Sequence, residues 1–321
     1  MRPSRSLALL SALLVAGSLA AQTPAVPKPP KVTRPAVPEP PEPPAPPAPP
    51  EPPAPPADAN WGQTRTEKRN ERLAYGSKLW VKNRNGAIRV EGWDKEEVAL
   101  VAQIRDSEQR RVDLVLSRKG ADLDIEAVFP KVKTFGFFFG DIRSPRCEMS
   151  LQVPKRILAH FRTTNGSVTA QNLDGYARCE ATNGAIKVRD LKGEVFAETT
   201  NGGIEARNLF ARIKGGTTNG KIFLEDVLGG IQMETTNGGI VARGLDGWGE
   251  GIRLETTNGG IEVDLGKACG ELVAENSNGG LDIKVPGAEV IELHKHNARI
   301  KIPGKAQRIE LETSNGGIKV K

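Results

Sequence analysis

Aromatic side chains make up 5% of the chain, and histidine and cysteine occur three times each. Three cysteines, Cys147, Cys179 and Cys269, are too few for the disulfide framework of a small secreted domain, although one pair could form in an oxidising compartment. The formal net charge is +6 over 321 residues, part of it from Arg2 and Arg5, and no Lys/Arg block stands out, which argues against a nucleic-acid partner. No segment shows a convincing helical period. Beyond the first 20 residues no apolar run approaches the ~20 residues of a spanning helix, so no transmembrane helix is expected in the mature chain. Ser/His/Asp, Cys/His and phosphate-loop arrangements are missing, so the chain is expected to be non-enzymatic and to need no cofactor.

What is present begins with an export signal. "MRPSRS" carries two arginines, "LALLSALLVAGSLA" is apolar, and Ser18 and Ala20 suit a cleavage site, giving a signal peptide over 1–20. Residues 21–60 form a proline-rich linker, with 18 of the 24 prolines between Pro24 and Ala57. Proline fixes φ and removes the amide donor, so this segment reads as an extended polyproline II spacer of about 100 Å, at ~3.1 Å per residue. It is either a device for reach or a solvated tail. Residues 61–160 are an N-terminal β-rich part: "SKLWVKNRNGAIRVEGW", "EVALVAQI" and "CEMSLQVP" alternate in hydropathy and break at Gly, Asp and Pro.

Residues 161–321 repeat. Asn165, Asn183, Asn201, Asn219 and Asn237 recur at a strict period of 18, followed by Asn258, Asn278, Asn297 and Asn315, and all except Asn297 are followed by Gly. Four and six residues before each Asn, and three and five after it, 35 of 36 sites are apolar, counting Ala and Cys. The interleaved sites are apolar at only four of 36, so each rung is two short strands with one inward face. "VKNRNGAIRV" fits the same frame as a degenerate rung around Asn85. The expected fold is an all-β single-chain β-solenoid of about nine rungs of 18–21 residues, with an N-terminal β-rich cap. The alternative is an antiparallel β-meander in which each Asn-Gly is a hairpin turn. In the solenoid, Thr and Asn form ladders along one edge, and Asn and Gly supply a left-handed backbone at that corner. A hexapeptide left-handed helix is excluded, because six residues after Ile186 comes Lys192 and then Glu198.

Several features bear on chemistry. Glu180, Glu198, Glu234, Glu255, Glu275 and Glu312 lie three residues before an Asn and form an outward column, read as a solvated face and not as a calcium site, which needs six to eight oxygens. His294 and His296 share a face, but no third metal ligand is visible. Phe135, Phe137, Phe138 and Phe139 in "TFGFFFGD" either cap the open end of the solenoid or dock on a partner or membrane. Trp248, lifted by a three-residue insertion, either stacks on a sugar ring or covers a widened corner. The rung at Asn315 ends without a capping segment, so self-association through its open edge is expected.

"GWDKEEVAL", then "MSLQVPKRILAHFRTTNGSVTA", then serial "TTNGGI" rungs resemble the bacterial DUF4097 adhesin-like family over roughly residues 75–321. The resemblance implies an exported β-solenoid without catalytic residues. The expected function is a non-enzymatic scaffold or binding protein of the bacterial cell envelope, in the periplasm, on the cell surface or secreted, with a protein or glycan partner. The alternative is a polysaccharide-binding or polysaccharide-cleaving β-helix, which needs a charged cluster in a groove beside aromatic platforms.

Overall fold

The computed structural model describes residues 64–107, 110–130, 144–245, 251–264 and 309–320. It also describes the backbone of 271–276, 281–283, 289–293, 297–301 and 308. Twenty-four strands run through these residues. No helix among them is long and apolar enough to cross a membrane.

Except at Asn297, where Glu289–Leu293 pairs antiparallel with Asn297–Lys301, the strands on either side of a corner asparagine do not pair with each other. Leu158–Asn165 pairs in parallel with Asp174–Asn183, placing Asn165 opposite Asn183, while Val168–Gln171 pairs in parallel with Ile186–Arg189. The same 18-residue step carries both strands to the next rung, which is a solenoid register and not a hairpin meander. Strands before the corner asparagines make a first wall, and those after them a second. Ile204–Asn219 is one continuous strand that leaves the second wall and enters the first.

The Asn85 rung joins the stack, with Asn85 opposite Asn165 and Ile88 opposite Val168. Antiparallel strands complete this end. On the second wall Thr64–Arg72 pairs with Glu97–Arg105, which pairs with Arg146–Pro154. On the first wall Asp113–Lys119 pairs with Asp122–Val128. The outermost strand of the second wall, "TRTEKRNER", is heavily charged, which discourages edge-to-edge pairing.

The core follows the alternation. In the Asn183 rung, Ala177, Cys179, Ile186 and Val188 are at most 1% exposed. Two further inward columns complete each turn. Thr163, Thr199, Thr217, Thr235, Thr256 and Thr313, two residues before their asparagines, are buried. Leu173, Leu191, Leu209, Val227 and Leu245, eight residues after theirs, seal the second corner. Burying each of these Leu or Val side chains contributes roughly 1.5–3 kcal/mol before entropy is subtracted.

The left-handed backbone lies at the second corner and not at Thr-Asn-Gly. Asn172, Asp190, Asn208 and Asp226 have φ of 52–58°, and Gly244 holds the equivalent place at 61°. At the first corner glycine is required for close approach. A Cβ on Gly184 would lie 1.9 Å from Gly166 O, and one on Gly202 2.1 Å from Gly184 O.

The expected open edge at the C-terminal rung is also corrected. Arg308–Asn315 pairs in parallel with Ile252–Asn258 on one side and with Glu271–Asn276 on the other. Ile318–Val320 likewise lies between Ile261–Asp264 and Leu281–Ile283. The rung therefore sits inside the stack, and self-association through a free edge there loses its basis. The Asn297 rung departs from the stack. Asn297–Lys301 pairs antiparallel with Glu271–Asn276. Ala298 stands where the other rungs have glycine, and a Cβ at that place collides with the neighbouring rung's carbonyl.

Candidate functional site

The corners at Asn201, Asn219, Asn237, Asn258 and Asn315 are each bonded to the preceding rung of the stack twice through side chains, by the asparagine and by the threonine two residues before it. Asn183 Nδ2 donates to Asn165 Oδ1 at 2.8 Å, and Asn201, Asn219, Asn237, Asn258 and Asn315 repeat the contact along the stack. The Asn315 amide reaches Asn258, matching the strand order. Buried threonine hydroxyls donate to the glycine carbonyl of the preceding rung, as in Thr217 Oγ1 to Gly202 O at 2.8 Å. In the Asn85 rung Asn83 replaces the threonine and donates to Gly86 O and Cys147 O. These edges hold the walls in register, and the walls carry the outward side chains.

On the first wall one outward column lies five residues before each corner asparagine. Strand register brings Trp80, His160, Arg178, Phe196, Lys214 and Gln232 into consecutive rungs of that column. The Trp80 and His160 rings stack tilted, with centroids 4.4 Å apart, and Arg178 lies over the Phe196 ring at 4.2 Å. Trp80 remains 40% exposed. Beside the stack, Glu180 receives an Arg178 hydrogen bond and lies 3.2 Å from His160 Nε2. Burial by itself raises the Glu180 carboxyl, but Arg178 and His160 together hold it below the usual carboxylate value.

The column three residues before the asparagines pairs Glu180 with Glu198, Glu234 with Glu255, Glu255 with Glu312, and Glu312 with Glu275. Gly216 interrupts it, opposite both Glu198 and Glu234. A groove of about 460 Å³ opens there, walled by Phe196, Lys214 and Gln232 on one side and by Thr218, Thr236, Thr257 and Ser314 on the other. Arg253 pairs with Glu255, and its Nη2 lies 3.9 Å from Glu312, while Arg178 lies 4.0 Å from Glu198. Lys214 and Glu234 make no ion pair among the described residues.

The outer face of the second wall is different. Lys187 and Arg207 both pair with Glu205, at 3.4 and 2.7 Å, Arg207 also pairs with Glu225, and its guanidinium covers the Phe223 ring at 4.8 Å. Burial raises the Glu205 carboxyl, but Arg207 and Lys187 outweigh it and hold it low. These charges and this ring largely satisfy one another.

Burial pushes the Cys147 thiol up to about 11 and Cys179 up to about 12, so both act as small core residues. The described residues contain no group of three or more side chains able to hold a metal ion. Phe135, Phe137, Phe138, Phe139, Trp248, Asn278, Cys269, His294 and His296 lie outside the described residues. Sequence reasoning missed the Trp80–His160–Arg178–Phe196 stack. Its signal was available: Trp80 and His160 both lie five residues before an in-phase asparagine, although 80 residues separate them.

No family model matches the chain, and a search of curated proteins finds no match. Five solved chains are similar to it. One is a "putative cell adhesion protein" from Clostridium sporogenes ATCC 15579, 13% identical over 80% of this chain and 99% of that one, with a TM-score of 0.28. Another is a "putative adhesin" from Bacteroides fragilis NCTC 9343, 12% identical over 80% and 97%, with a TM-score of 0.42. A third is a "putative lipid binding protein" from Parabacteroides distasonis ATCC 8503, 15% identical over 81% and 98%, with a TM-score of 0.45.

Proposed function

We propose that the protein is an exported, non-enzymatic, adhesin-like scaffold of the bacterial cell envelope, and that it holds a protein or glycan partner along the outer face of its first wall. Export rests on the apolar segment of residues 1–20 and its small-residue end. The contrast between the two outer faces supports the location. On the second face Lys187, Arg207, Glu205 and Glu225 close into one network, whereas the first presents an exposed aromatic at one end and an open polar groove further along. Both lie on parallel strands locked at the corners, so little conformational entropy is lost when a ligand docks.

A photo-crosslinking amino acid at Thr182, on the first face, should capture envelope material from the native source. The same group at Thr169, on the second face, should capture none. Equal capture at both positions would sink the assignment of the face.

A further inference from the structure

We infer that the partner is a neutral polysaccharide and that one of its sugar units occupies the groove over Gly216, between Lys214 and Glu234. This rests on the first wall being the binding face, and it names the ligand class and the subsite.

The groove is fixed by backbone. Gly216 occupies a place where the flanking rungs carry glutamate, and a Cβ there would meet Glu234 O at 2.4 Å. The Glu234 Cγ lies 2.7 Å from that Cβ position, so Glu234 leans over the buried glycine, and the depression along this strip measures about 460 Å³, within the ~300–1,000 Å³ of small-ligand clefts. Lining groups alternate in hydrogen-bonding character. Lys214 donates, Glu234 accepts, and Gln232, Thr218 and Thr236 do both. A sugar hydroxyl also does both, so one vicinal diol can accept from Lys214 and donate to Glu234.

Charge selects against ionic polymers. Arg178 and Arg253 already partner Glu198, Glu255 and Glu312, so Lys214 and Glu234 remain as one charge of each sign. A polyanion laid along this face would meet the glutamate column. A polycation would meet Arg178, Lys214 and Arg253. A neutral chain meets neither repulsion and can satisfy both free charges.

The same strip offers aromatic support. Trp80, 40% exposed, lies four rungs from Lys214, about 19 Å at ~4.8 Å per strand. The C–H face of a pyranose packs on such rings, so an extended chain can contact Trp80 and the groove at once.

The test is affinity electrophoresis of the full mature chain through gels carrying neutral glycans (a glucan, a mannan and a galactan), polygalacturonate, or chitosan. Variants are Lys214→Ala, Glu234→Gln and Trp80→Ala, with Arg189→Glu on the second wall as control. All four positions are surface sites, and thermal melts check that each variant folds. Retardation is expected in at least one neutral glycan and in neither ionic one. Lys214→Ala and Glu234→Gln should each weaken it about tenfold or more, the scale of a hydrogen bond to a charged group. Arg189→Glu should leave it unchanged. Retardation weakened by Trp80→Ala but not by the groove variants would overturn the subsite and leave the binding face standing. Binding to polygalacturonate or chitosan alone would overturn the ligand class. If no glycan retards the chain, the inference fails, and the face assignment then stands or falls on the crosslinking result.

Discussion

Threonine, asparagine and glycine do three different things at the same corner. The threonine hydroxyl satisfies a buried carbonyl, the asparagine amide ties one rung to the next, and the glycine lets two backbones meet. Gly202→Ala places a methyl group 2.1 Å from Gly184 O and 2.5 Å from Gly184 C, against the backbone of the preceding rung. It should cost more than about 4 kcal/mol or prevent folding, as read from urea unfolding. Gly120→Ala is the contrast. Its φ of +66° is left-handed but the space around it is open, so about 1 kcal/mol is expected. The repeated corner was plain in the sequence, but the reason for each of its residues was not. Asparagine and glycine are suited both to left-handed backbone and to tight contact, and here the left-handed φ belongs to Asn172, Asp190, Asn208 and Asp226 instead.

Glu180 adds a pH dependence. Its carboxyl is held low in the folded chain, so the unfolded chain binds the proton more readily. The stability it contributes is fully present above the ordinary carboxylate value near 4.5 and is lost as pH falls through the folded value. Glu180→Gln should therefore flatten the acid limb of stability against pH, measured by urea midpoints from pH 3 to pH 6. An unchanged acid limb would show that Arg178 and His160 do not act on this carboxyl.

Rungs of one phase have interchangeable edges. The periodicity that made the strands legible could not say which rung lies on which. "LETSNGGIKV" nearly repeats "LETTNGGIEV", and the two stack directly although 57 residues separate Asn258 from Asn315. Ala298 was the available warning, because a rung without its glycine cannot accept a parallel neighbour at the corner. Disulfide trapping reads the order. Glu255 and Glu312 are Cα partners on adjacent strands, about 4.8 Å apart, so Glu255→Cys with Glu312→Cys should cross-link on oxidation. Glu255→Cys with Glu275→Cys spans two strand spacings, about 9.6 Å, and should not. The reverse result would mean that the rungs stack in chain order.

Among the described residues the stack of rungs presents two outer faces on one shared core, and they differ in which side chains they expose. That difference was hidden in the sequence because each column draws one residue from every rung. Trp80, His160, Arg178 and Phe196 are scattered over more than a hundred positions and become neighbours only through the register. The conspicuous aromatics of the sequence, Phe135 to Phe139 and Trp248, drew attention elsewhere. Retention of the mature chain on isolated envelopes from its native source tests the binding face most directly. A charge is inserted on one wall at a time, as Gln232→Arg on the first and Thr169→Arg on the second. Retention should fall about tenfold or more for Gln232→Arg and stay at the parent level for Thr169→Arg. Equal retention of the two variants, or loss confined to Thr169→Arg, would contradict the assignment of the first wall as the binding face.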